Sequence, residues 1–110
     1  MSLEFHRKKG LAQIIVINPG DRNIEYLKDL GEQFRVENAD KKFAFIYIFD
    51  NKEAAEMCGD ESDWTKEQED FYLSHFIASY IKNTHSRFHR YLIHLTHDSD
   101  GELEIKYLLN

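Results

Sequence analysis

Nine residues in the middle of the chain, Lys42 to Asp50 (KFAFIYIFD), constrain the fold more than any other segment. Successive side chains of a strand point to opposite faces. Phe43, Phe45, Tyr47 and Phe49 fall on one face and Ala44, Ile46 and Ile48 on the other. Neither face suits water, so this strand belongs inside a sheet that is covered on both sides.

Its neighbours follow from the same patterning. Leu11 to Ile17 (LAQIIVI) is a β-branched run that ends at Asn18-Pro19-Gly20, and it predicts a buried strand. Asp21 or Asn23 can cap the helix that follows. Ile24, Leu27, Leu30, Gly31 and Phe34 then recur at helical spacing, and this stripe fades near Glu37-Asn38. Strand, helix, strand in that order predicts a crossover with the two strands parallel. Asn51 can cap a short second helix, Lys52 to Met57, stopped near Gly59.

Residues 59–70 (GDESDWTKEQED) are acidic, with Trp64 in their midst, and they read as a surface loop. Thr65 and Gln68 have capping-box spacing for a helical turn. The segment 71–82 fits either a helical stripe (Leu73, Phe76, Ile77, Tyr80, Ile81) or a strand from His75 to Lys82, with a slight lean to the strand. Asn83-Thr84-His85-Ser86 would be its turn. Asp98-Ser99-Asp100-Gly101 predicts a three-residue hairpin loop with Gly101 in the left-handed region. That register pairs His97 with Leu103, Leu95 with Ile105, Ile93 with Tyr107 and Tyr91 with Leu109. It sets Thr96 beside Glu104 and His94 beside Lys106 on the wet face.

The expected fold is therefore α+β: one mixed sheet with a βαβ crossover in the N-terminal half, a short second helix and an antiparallel C-terminal hairpin or meander. With 110 residues and a hydrophobic fraction of 42%, residues 11–110 form one domain. Residues 1–10 read as a disordered or expression-derived tail. The main helix covers one face of the sheet. The opposite face is covered either by a helical 71–82 segment or by another chain, which makes a homodimer an expectation.

Charge and cysteine usage narrow the function classes. A net charge of −6 argues against general binding to a phosphate backbone, whose affinity comes from Lys and Arg. A basic face built from Lys82, Arg87, Arg90 and Lys106 would reopen that class. No run reaches the roughly 18 apolar residues that a membrane span needs. Met1 to Gly10 lacks the apolar core of a signal peptide. One cysteine cannot form an internal disulfide, and the cytoplasm is the default compartment.

Five of the six histidines lie between 75 and 97. His75 and His94 are the candidate metal pair, as cross-strand neighbours. Zinc needs three or four convergent ligands, however, and no Cys-x-x-Cys or His-Glu-x-x-His accompanies them. Glu104-Ile105-Lys106 has the spacing of the acid-x-Lys element of restriction-type nucleases, but Thr96 and His94 offer no second acid beside it. Pro19-Gly20-Asp21 lacks the repeated glycines and the Lys of a phosphate loop. Cys58, between Glu56 and Asp60, sits where a thiolate is disfavoured. No catalytic residue and no cofactor is predicted.

Trp64 remains. A tryptophan among acids is a protein-contact anchor, or else a lid folded over the core. The sequence leads to a non-enzymatic interaction module with a protein partner, the soluble part of a longer bacterial protein. Its rival is a metal protein or enzyme using the histidine-rich 75–97 region.

Overall fold

The structure, a computed structural model, describes residues 3–9, 12–18, 20, 23–59, 63–94 and 102–107. Among them six strands form one mixed sheet: β1 (Leu3–Lys9), β2 (Ala12–Ile17), β3 (Phe43–Phe49), β4 (Phe76–Asn83), β5 (Phe88–His94) and β6 (Glu102–Lys106). They lie side by side in sequence order. Three helices accompany them: α1 (Ile24–Glu37), α2 (Lys52–Met57) and α3 (Lys66–His75). The fold is α+β, as the patterning predicts. No helix of the described residues is long and apolar enough to cross a membrane.

β2 and β3 are parallel, Ile14 opposite Tyr47, with α1 between them in sequence, so the crossover is present. Every other neighbouring pair is antiparallel. Asn23 caps α1, its side chain accepting a hydrogen bond from the Tyr26 N–H at 2.8 Å. Asn51 caps α2 in the same way, accepting from the Ala54 N–H at 3.0 Å. Each satisfies a donor that a helix N-terminus leaves unpaired.

Two apolar clusters lie on the two faces of β3. One joins Leu27, Leu30 and Phe34 of α1 to Ile46, Ile48, Tyr80, Tyr91 and Ile93. The other joins Phe49 to Ile14, Val16, Ala54, Ala55, Cys58 and Tyr72. Both clusters belong to one sheet, which is why β3 has no polar face.

The structure corrects three expectations. Residues 3–9, read as a tail, form β1 and pair with β2 along its length. The 71–82 segment is helix and strand in turn: α3 runs through His75, and β4 begins at Phe76. The C-terminal hairpin keeps its faces but changes register. Ile93 lies opposite Leu103 and Tyr91 opposite Ile105, a shift of four residues. Because strand periodicity is two, an even shift leaves the core-facing set intact. His94 pairs with Glu102, and the predicted hairpin loop at Asp98-Ser99-Asp100-Gly101 lies outside the described residues. Leu95, Thr96, His97, Gly101 and Leu109 lie outside the described residues.

Candidate functional site

α3 opens with the capping box that Thr65 and Gln68 encode. The Gln68 N–H donates to Thr65 Oγ1 at 3.2 Å, and the Thr65 N–H donates to Gln68 Oε1 at 2.7 Å. The box fixes where α3 begins and hence where Trp64, just before it, is aimed. Trp64 lies half-buried on the ring of Tyr72, centroids 4.7 Å apart. Tyr72 in turn packs on Phe49 and Phe76, which are stacked at 5.1 Å. A continuous aromatic run therefore anchors Trp64 to the second core cluster.

Beside Trp64 a groove of about 410 Å³ opens between α2 and α3. Met57 and Phe71 share its apolar lining with Trp64, and Glu53 and Glu67 stand on it. Glu53 comes from α2 and Glu67 from α3, so the groove exists only because the two helices pack together. Neither carboxylate is in an ion pair among the described residues. Asp63, Glu69 and Asp70 are exposed nearby in sequence, which makes this helical layer strongly acidic. The two other polar side chains of the groove, Thr65 and Gln68, are taken up by the capping box.

The two candidate metal histidines are engaged elsewhere. His75 Nδ1 lies 2.7 Å from Asp50 Oδ1, and the Asp50 N–H donates to the His75 carbonyl at 3.2 Å. These two contacts tie the end of α3 to the end of β3. His94 packs its ring on Phe76, centroids 4.8 Å apart. Among the described residues no group of three His, Cys, Asp or Glu could hold a metal ion. His89 is buried, its Nε2 2.6 Å from the Tyr80 hydroxyl. Glu104 lies opposite Leu92 across the ladder and accepts a hydrogen bond from Arg90 at 2.9 Å.

The basic face considered from sequence divides between two environments. Lys82 is buried and donates to the carbonyls of Asn38 at 2.7 Å and Ala39 at 3.2 Å, just past the C-terminus of α1. A cation there complements the helix dipole. Arg87, Arg90 and Lys106 line a separate depression.

Under α1, burial raises the Tyr80 phenol to about 12, with Tyr107 adding to the effect. Burial is also the main cause that raises Tyr91 and Tyr107. On the exposed turn of α1, the hydrogen bond from Arg35 lowers the Glu32 carboxyl.

Trp64 is the one sequence-predicted binding residue that the structure sets on a groove. Glu67 belongs to the acidic stretch already read from sequence, whereas Glu53, Met57 and Phe71 lie outside it and were missed. Comparison with protein-family models, curated proteins and solved structures finds no match.

Proposed function

We infer that this chain is a non-enzymatic interaction module whose α2–α3 groove receives an apolar, basic segment of a partner protein. One observation carries the reading: Trp64, Phe71 and Met57 form an apolar floor between Glu53 and Glu67. The floor suits the methylene stem of a Lys or Arg, and the carboxylates suit its charged head. A cation over a tryptophan face gains further attraction. Methionine adapts its shape to irregular partners. The net charge of −6 steers a basic segment toward the protein and repels an acidic one.

Isothermal titration with two amphipathic peptides tests this, one alternating Leu with Lys and the other Leu with Glu. The basic peptide binds, and the double variant Glu53→Gln/Glu67→Gln weakens it about tenfold, as expected for losing charge-assisted contacts. Equal binding of the acidic peptide would contradict the reading.

A homodimer is a second proposal, and it rests on the opposite half of the same sheet face. α2 and α3 cover the Phe49 end of β3, whereas Phe43 at the other end is 46% exposed. A second copy would cover that end. Light scattering after size-exclusion chromatography checks it, because a 13.1 kDa species at every concentration would end the proposal.

A further inference from the structure

At the other end of the sheet, Arg87, Arg90 and Lys106 gather around a depression of about 320 Å³, with Phe88, His89, Tyr107 and Glu104 completing its walls. In a chain of net charge −6 this concentration of cations is out of character. Two local features there also run against stability. Arg87 holds a φ of 58°, in the left-handed region that glycine occupies at no steric cost. Arg90 on β5 lies directly opposite Lys106 on β6, and like charges facing each other across a ladder repel. Glu104 offsets this by standing between them, one oxygen 2.9 Å from Arg90 and the other 3.6 Å from Lys106. Departures from local preference that converge on one spot mark functional sites more than scaffold.

One of the cations, Arg90, is also held in place. The Arg90 guanidinium lies over the Phe88 ring, 4.5 Å from its centroid, and is hydrogen-bonded to Glu104. A guanidinium carries five donors, so one bond to Glu104 leaves others for an anion. The turn that carries Arg87 is fixed by Asn83, whose side chain accepts from the His85 and Ser86 N–H groups at 3.1 and 3.2 Å. The Arg87 N–H donates to the Thr84 carbonyl at 3.3 Å. Three cations against one carboxylate leave a positive site that a dianion fills.

We propose that this depression binds a phosphate dianion, free or carried on a small molecule, through Arg87, Arg90 and Lys106. Arginine donors match phosphate oxygens in pairs. An attached aryl group would meet Phe88 and Tyr107 at the wall of the same depression. The site is independent of the α2–α3 groove and of any protein partner there.

Amide NMR titrations with inorganic phosphate and with phenyl phosphate test it. Shifts are expected at the 84–90 and 104–107 amides, saturating with one site. Arg87→Gly is the decisive variant, since glycine keeps the left-handed backbone while the guanidinium is lost. It should melt at or above the parent and yet bind about tenfold more weakly, the loss expected for one hydrogen-bonded charge. Lys28→Ala makes the same charge change on an exposed part of α1 and should leave binding unaltered. Tighter binding of phenyl phosphate assigns the site to a phosphorylated small molecule, and equal binding assigns it to the free anion. Equal weakening by Arg87→Gly and Lys28→Ala would overturn the proposal, because the effect would then be net charge alone. Shifts confined to other amides would overturn it as well. So would a single-stranded oligonucleotide binding more tightly than either probe.

Discussion

A methyl group at Gly31 would lie 2.4 Å from Cδ2 of Tyr91. The ring it meets is fully buried and cannot swing away. α1 therefore rests on the sheet at a distance that only glycine permits. Gly31→Ala gains about 1 kcal/mol of helix propensity, and overpacking costs about 1–3 kcal/mol. With a ring this close and this confined, the cost wins. Urea melts should show Gly31→Ala less stable than the parent by about 1–2 kcal/mol.

The same ring carries a second consequence. The Tyr91 hydroxyl is buried and has no hydrogen-bond partner among the described residues. An unsatisfied buried polar group costs about 1–3 kcal/mol. Tyr91→Phe removes the group and keeps the ring, so it should be neutral or stabilising by up to about 1 kcal/mol. A clear loss of stability would mean that the hydroxyl is satisfied after all.

Lys82 gives the opposite case. Its ammonium satisfies the Asn38 and Ala39 carbonyls from within the fold. Lys82→Met keeps the stem and removes two charge-assisted hydrogen bonds, while the Asn38 carbonyl retains its bond from the Lys41 N–H at 3.1 Å. A loss of about 1–3 kcal/mol is expected in the same urea assay.

Much of this fold is legible in sequence because each signal is local. Phe43–Phe49 shows its two apolar faces by alternation, and Asn23, Asn51 and Thr65 announce three helix starts. The C-terminal register was misread because alternation fixes which residues face the core without fixing which pairs meet. β1 was missed because His6-Arg7-Lys8-Lys9 carries no apolar pattern, although Lys and Arg are common where a strand forms the edge of a sheet. The 71–82 segment resisted because it changes from helix to strand at Phe76, and no single period describes it. Trp64 stood out as a lone aromatic among acids. Its companions did not, since Glu53 and Glu67 meet only when α2 packs on α3.

The tyrosines under α1 set an alkaline limit. Tyr80 is pushed up to about 12, and Tyr91 and Tyr107 are also raised, mainly by burial. In the unfolded chain each phenol ionises near ~10. Between these values the unfolded state binds fewer protons than the folded state, so stability falls as pH rises. The contribution is fully present below about pH 10 and is lost progressively toward and beyond about pH 12. Urea melts at about pH 8 and about pH 11 should differ in that direction, and phenolate absorbance should rise at the unfolding transition. Equal stability at the two pH values would contradict it.

The central claim is that the α2–α3 groove is where a basic, apolar partner segment docks, and Trp64 is placed to report on it. It is the only tryptophan in the chain, so emission excited selectively at tryptophan rather than tyrosine reads that groove. Titrating the protein with the Leu–Lys amphipathic peptide should change Trp64 emission saturably. The change should weaken with added salt and with Glu53→Gln/Glu67→Gln, and the Leu–Glu peptide should produce none. If the Leu–Lys peptide leaves the emission unchanged, or the Leu–Glu peptide alters it equally, Trp64 is a lid over the core and the groove is not the docking site.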